Sequence, residues 1–330
     1  MKGFILGIES TAHTFSASVV SARGEILSNS KSVYNPPEGS GIHPFEASQS
    51  HLASAARVLA EAMCVSGVPQ NEISAVAYAM GPGLGPCLRV GAVAARTLAL
   101  SLGVPLVPVN HAVGHIELGC LLTGAQDPVV LLVSGGHTMI ITFSGGKWRI
   151  LGESLDLTLG QLLDQFGRHH GLGSPCGAAI EEASSKSLNY LRLPYSVKGN
   201  DVSFSGLLTA SKALLDGGES FSDVSYSIQE TAFAMVTEVT ERCLAFTSKN
   251  EVLIVGGVAA NRRLGLMMTA MAKRHSSKVH LAPVEYSGDC GAQIAWTGLL
   301  AHEQGIEIPV DDSKVRQSWR LDTVEIPWRR

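Results

Sequence analysis

The stretch "ILGIESTAHTFSASVVSARGEIL" (Ile5–Leu27) is an apolar run, a small polar turn, a second apolar run, a glycine turn and a third run. The same grammar returns in "VVLLVSGGHTMIITFSGGKWRIL" (Val129–Leu151), down to a His-Thr pair at His13-Thr14 and at His137-Thr138. Apolar, β-branched runs bounded by Gly, Ser and Thr read as strand–turn–strand–turn–strand. In each copy the first tight turn is built of residues that leave backbone N–H groups exposed. Two such copies far apart predict two domains of one ancestry, facing each other.

Outward from the first copy, helical patterns cover Pro44–Met63 and Leu88–Leu102, with a strand "ISAVAYAM" between them. "PLVPVNH" then reads as a short strand feeding a helix. After the second copy, helices are expected at Leu159–Phe166, at Ala178–Leu191 and around Ile228–Thr247, with a Ser/Gly-rich stretch "KGNDVSFSGLL" among them. "VLIVGGVAANRRL" (Val252–Leu264) is strand, glycine turn, helix; "KVHLAP" is a strand and "DCGAQIAWTGLLAHEQG" a final helix. Strands alternating with helices make the class α/β. The expected division is a first lobe of 1–124 plus about 297–330, and a second lobe of 125–296. "TGAQDP" (Thr123–Pro128) forms the crossing.

Composition bounds the function. At 330 residues, 45% apolar and 16% charged, the chain has material for two cores and is not a disordered one. No apolar run reaches the roughly 18 residues of a membrane span. "MKGFILGIES" is too short for a signal peptide and lacks a cleavage site, so it reads as a first strand. The six cysteines are scattered without a C-x-x-C, as expected for reduced thiols in the cytoplasm. A net charge of -4 does not advertise nucleic-acid binding, and the basic clusters (Arg262–Arg263, Lys273–Arg274, and the arginines after Val315) are small.

In "VNHAVGHIELG" (Val109–Gly119), His111 and His115 stand four residues apart, which on a helix stacks two imidazoles on one face. Such a pair can share a metal, but no third ligand lies nearby. Either the pair is incidental or the missing ligand is elsewhere in the chain. The zinc peptidase motif H-E-x-x-H needs a glutamate where this chain has Ala112. Three glycine turns, "GIEST", "VSGGHT" and "VGGVAAN", each follow a strand, and clustered N–H groups there suit a phosphate. None alone is specific. "GPGLGPCLRVG" (Gly81–Gly91) opens a helix too, but its prolines fit a rigid turn equally well. No G-x-x-x-x-G-K-[ST] occurs, which excludes a Walker-type loop.

Taken together, "GIESTAHTFSASVV", "VNHAVGHIELG", "VSGGHT", "LLDQFGR", "GSPCGAAIE", "KGNDVSFSGLL", "VGGVAANRRL" and "SGDCGAQIA" resemble, in order and over nearly the whole chain, a known family. It is the archaeal and eukaryotic tRNA threonylcarbamoyladenosine transferase family, whose members are the catalytic subunit of the KEOPS complex. The resemblance implies the actin, hexokinase and sugar-kinase fold, two duplicated ribonuclease-H-like lobes around a nucleotide cleft. It implies metal ligands at His111, His115 and Asp289, a set that suits iron, with zinc as the alternative. For Asp289 the plain alternative is a helix N-cap. The family commonly has a tyrosine ligand directly before V-S-G-G, where this chain has Leu132, and an asparagine where it has His137, a candidate substitute contact.

By the same resemblance Val133, Ser134, Gly135 and Gly136 wrap the phosphates of an adenine nucleotide. Asp164, Gly177 and Glu181 hold the ribose, and Gly256, Gly257 and Asn261 line the adenine pocket. Without the family, Glu181 reads as a first-turn acid favoured by the helix dipole. The implied reaction carries threonylcarbamoyl from threonylcarbamoyl-AMP to N6 of the adenosine beside the tRNA anticodon, with Glu9 or His13 positioned to take the amine proton. The alternatives are a metal-dependent peptidase-like hydrolase, a small-molecule kinase of the same fold, and a non-enzymatic actin-like ATP-binding module. Expected partners are tRNA, gripped weakly by this chain alone, a small dimerising subunit, a kinase-like subunit that some members carry fused C-terminally, and a further tRNA-binding subunit.

Overall fold

The computed structural model describes residues 3–37 and 39–329. The first copy folds as an antiparallel meander of β1 (Phe4–Glu9), β2 (Thr14–Ser21) and β3 (Ser30–Val33). Helix α1 (Pro44–Ser66) leads to β4 (Ile73–Gly81), and α2 (Gly85–Leu102) to β5 (Leu106–Asn110). Both strands pair parallel, giving a five-stranded sheet in the order β3-β2-β1-β4-β5. Helix α3 (His111–Thr123) then crosses to the second copy, β6 (Val129–Val133), β7 (Thr138–Ser144) and β8 (Lys147–Glu153).

After these come α4 (Leu159–His169), α5 (Gly177–Ser184), the short hairpin β9 (Val197–Lys198) and β10 (Asp201–Val202), α6 (Ser205–Asp216) and α7 (Phe221–Thr247). β11 (Glu251–Val255), α8 (Arg262–Arg274), β12 (Lys278–Leu281), α9 (Val284–Ser287) and α10 (Gly291–Glu303) complete the regular elements. The second sheet runs β8-β7-β6-β11-β12, with the same pairing senses as the first. The duplication predicted from the echo is therefore a duplication of topology.

The sheets face each other across two helices. The inner side of the first sheet (Ile5, Ala75, Ala77, Val107) packs on Ile294, Ala295 and Leu299 of α10. Gly7 makes that approach possible, since a Cβ there would lie 2.2 Å from the Ala295 nitrogen. The inner side of the second sheet (Val130, Leu132, Leu253, Val255) packs on Ala112, Val113 and Ile116 of α3. Full burial of a side chain such as Ile116 is worth about 1.5–3 kcal/mol. Helices α1 and α2 cover the outer side of the first sheet, and α4 to α8 that of the second. The starts of α3 and α10 are thus held rigidly between two cores.

Three expectations change. Helix α5 stops at Ser184, well short of Leu191, because the Ser187 hydroxyl donates to Asp223 (2.5 Å) and receives the Asn189 N–H (3.0 Å), which offers the backbone an alternative to the helix. The Ser/Gly-rich stretch contains the start of α6, capped from a distance by Asp156, which accepts from the N–H groups of Phe204 (2.8 Å) and Ser205 (3.1 Å). The boundary expected at about 297 falls inside α10, all of which begins at Gly291 and packs with the first sheet.

The last residues do not stay with the first lobe. Ile308 bridges Leu106 and Arg316 N–H donates to the Met80 carbonyl, but Leu321 and Ile326 enter the core of the second sheet and Ile326 N–H donates to Gly146. The tail ends on a buried ion pair: Arg329 donates from Nε and Nη2 to both oxygens of Glu117 on α3, at 2.9–3.0 Å. Trp148 Nε1 donates to the same carboxylate (3.0 Å), and the guanidinium lies 4.7 Å from the centre of the Trp148 ring.

Candidate metal and nucleotide site

Asn110 ends β5 and caps α3, accepting from Ala112 N–H (3.0 Å) and Val113 N–H (3.2 Å), so His111 is the first helical residue. His115 lies one turn on, its ring 4.7 Å from that of His111 and nearly perpendicular to it. Asp289 arrives from the loop before α10. Its Oδ1 is 3.3 Å from His115 Nε2 and 3.6 Å from His111 Nε2. One ligand atom from each residue falls within a cluster 4.8 Å across. The N-cap alternative for Asp289 is not what the fold adopts: Cys290 is the N-cap and makes no side-chain cap bond, which leaves the carboxylate to the histidines.

Behind this trio lies an outer shell. Glu9, fully buried at the end of β1, holds His111 Nδ1 at 2.9 Å through Oε2. Its Oε1 accepts from Thr11 N–H at 2.6 Å, and Gln293 Nε2 donates to Oε2 at 3.4 Å. A carboxylate only accepts, so it fixes a proton on Nδ1, and Nε2 is the nitrogen turned toward Asp289. Glu9 is therefore enclosed and faces His111. Burial opposes the charge on His111, yet Glu9 and Asp289 outweigh it and raise its pKa. Burial lowers that of His115. Asp289 would be raised by burial, but the two histidines hold its carboxyl well below the usual range.

His13, in the turn after β1, has an enclosed Nδ1 without a partner. Its ring lies within electrostatic reach of both Asp289 and Asp164. His137 stacks on His111, with centroids 6.0 Å apart and planes 29° apart.

The candidate nucleotide residues cluster on the second lobe. Ser134 Oγ accepts from Gly136 N–H (3.2 Å) and His137 N–H (3.0 Å), so those two amides are occupied in closing the turn. Val133 is fully buried, and its carbonyl lies where a Cβ on Gly256 would be, 2.3 Å away; Gly256 also has φ +96. Asp164 accepts from Cys176 N–H at 2.7 Å, and burial raises its pKa. One oxygen of Glu181 accepts from Arg262 N–H at 2.9 Å. Asn261 caps α8 and donates to Gln229 Oε1 at 2.9 Å, so both ends of its amide are engaged within the protein. Above Gly135, Gly177 and Gly257, in contrast, a Cβ would meet nothing within 4 Å. Three loops thus offer bare backbone to open space.

Comparison with known families matches residues 23–296 to tRNA N6-adenosine threonylcarbamoyltransferase. The chain belongs to this family. It is 48% identical over 324 residues to a tRNA N6-adenosine threonylcarbamoyltransferase of Caldivirga maquilingensis, covering 98% of each chain. It is 51% identical over 325 residues, 98% of its own length, to a probable bifunctional tRNA threonylcarbamoyladenosine biosynthesis protein of Methanothermobacter thermautotrophicus, and spans 61% of that relative's length. The family match decides for the transferase over the peptidase and kinase alternatives.

Among solved structures, HypF of T. kodakarensis superposes with a TM-score of 0.64 at 14% identity, over 92% of this chain and 48% of that one. Component A of (R)-2-hydroxyglutaryl-CoA dehydratase from Acidaminococcus fermentans gives 0.56 at 13%, over 90% and 98%. These likenesses show the actin/hexokinase-like fold. No helix of the transferase, among the described residues, is long and apolar enough to cross a membrane.

Sequence reasoning missed three members of this neighbourhood. Gln293 stands one helical turn after Asp289 and Thr11 two residues after Glu9, a spacing that could have flagged both. Gln229, which holds Asn261, lies mid-helix in α7 with no local signal at all.

Proposed function

We propose that this transferase moves the threonylcarbamoyl group of threonylcarbamoyl-AMP to N6 of the adenosine beside the tRNA anticodon, in the cleft between the two sheets. The observation that carries the reading is the convergence of His111, His115 and Asp289 within 4.8 Å, next to loops that expose bare glycine backbone. The trio suits a divalent ion, iron or zinc, because its donors are two imidazoles and a carboxylate and because Glu9 supplies the carboxylate that metal-binding histidines need behind them. When bound, such an ion supplies Lewis acidity toward the carbonyl or the phosphate.

The chain's own residues would do the rest. Gly135 and Gly136 approach the phosphate, Gly257 the base, and Gly177 the sugar. The free oxygens of Asp164 and Glu181 accept from ribose hydroxyls. The N6 nitrogen attacks the carbamoyl carbon, the bond to the AMP oxygen breaks, and the amine proton passes to His13, whose Nδ1 has no protein partner. Glu9 acts through His111 as a positioning residue. Tight tRNA binding needs clustered cations, and at a net charge of -4 this chain is read as borrowing that surface from KEOPS-type partners, a small dimerising subunit and a kinase-like subunit among them. The bifunctional name of the Methanothermobacter relative supports a fused second component in some members.

The test is elemental analysis with nucleotide titration. Wild type should hold one metal and bind AMP analogues, and His115→Ala should lose the metal with its circular dichroism unchanged. Full metal content in that variant would move the site elsewhere. Mobility shift of tRNA at physiological salt should show weak binding by the isolated chain.

A further inference from the structure

The transfer reading leaves one group at the site without a task. His137 closes the turn that follows β6, and its main chain is held from both sides. Its N–H donates to Ser134 Oγ at 3.0 Å, and its carbonyl accepts from Ser134 N–H at 2.8 Å. β7 begins at the next residue, whose hydroxyl receives the Leu159 N–H at 2.7 Å. The Cα of His137 is therefore fixed on the turn. The imidazole leans over His111 at 6.0 Å between centroids, and its enclosed Nδ1 has no hydrogen-bond partner. Leaving a buried nitrogen unpaired is destabilising. Nearby protein does not relieve that cost: Leu132, at the end of the same strand, is hydrocarbon packed among Ala112, Val113 and Ile116.

We infer that His137 is a fourth protein contact to the ion held by His111, His115 and Asp289. The inference rests on the metal reading of that trio. Its ring lies beside that of His111, with centroids 6.0 Å apart, so it borders the cluster. A His, His, His, Asp set remains within the chemistry of zinc, iron and cobalt. The first three ligands sit at the starts of α3 and α10, between the two sheets, whereas His137 comes from the turn after β6 that carries Gly135 and Gly136. A contact from His137 would then tie the ion to the turn that carries Gly135 and Gly136, so that ion and phosphate sites are linked.

The full chain, stripped of metal and titrated with Co2+, gives the test. Affinity is read by chelator competition and coordination by the visible absorption of the bound ion. Wild type should take up one Co2+ and His115→Ala should not. His137→Ala and His137→Asn should keep the wild-type circular dichroism yet bind Co2+ more weakly by over about tenfold, the least that even an outer-shell loss costs, with a weaker visible band. If alanine at this position prevents folding, the asparagine variant alone answers. Wild-type affinity and spectrum in the folded His137 variants would overturn the inference and leave the trio intact. Wild-type binding by His115→Ala would overturn the metal reading itself.

Discussion

Glu9 Oε2 and His111 Nδ1 meet at 2.9 Å, with the carboxylate fully buried and the two residues 102 positions apart in the chain. The carboxylate sets which nitrogen of His111 is free. Glu9→Gln keeps the shape but replaces a pure acceptor by an amide that can present its N–H. It should weaken metal affinity by about 10–100-fold while leaving the fold in place. Chelator competition measures it; an unchanged constant would mean that Glu9 does not orient the ligand.

The Arg329–Glu117 pair joins the tail to the helix that carries both histidines. Its members are nearly enclosed, with side-chain exposures of 15% and 3%. Arg329→Ala leaves the carboxylate with Trp148 alone and should cost about 3–5 kcal/mol of stability, as breaking a buried pair does. Urea unfolding checks this, and the double variant with Glu117→Gln should recover part of the loss. Equal loss in single and double variants would show that the charge is not the cause.

His51, on α1 against Phe15, is buried with neither ring nitrogen hydrogen-bonded, and burial pushes its pKa from 6.5 down to about 4. Between those values the unfolded chain takes up a proton that the folded chain refuses. Stability should therefore fall as pH drops from 6.5 toward 4, by no more than about 3 kcal/mol from this group. His51→Leu should flatten that limb in unfolding curves run at several pH values. A limb of unchanged slope in the variant would assign the acid loss to other groups.

Two adjacent glycines should respond differently. Gly256 has φ +96 and a Cβ there would lie 2.3 Å from the Val133 carbonyl, so Gly256→Ala should destabilise the protein by more than about 1 kcal/mol. Gly257 faces open space, and Gly257→Trp should fold normally while obstructing AMP binding. Calorimetric titration separates the two; normal nucleotide binding by folded Gly257→Trp would remove the adenine pocket from this loop.

The duplicated strands were legible because each sheet is built on a contiguous meander whose alternation is local. His111 and His115 were legible as a pair for the same reason, since one helical turn separates them. What eluded the sequence is what depends on distant partners. Helix α6 takes its cap from Asp156, nearly fifty positions earlier, so no cap signal precedes it. The ends of the Asn261 amide are claimed by its own helix and by Gln229, a distribution that the glycine-turn pattern does not encode. The crossing of the tail to the second sheet depends on Leu321 and Ile326 finding a core built by other strands.

The clamp between Arg329 and Glu117 spans 212 positions, and this imposes an order in time. As the ribosome releases the chain, α3 emerges with a carboxylate destined for the interior and no cation to meet it. The strand with Trp148 follows soon after and offers one hydrogen bond, but the guanidinium comes only when residue 329 has been added. The two histidines therefore sit on a helix whose last packing partner is the far tail of the chain, tied to it through Arg329.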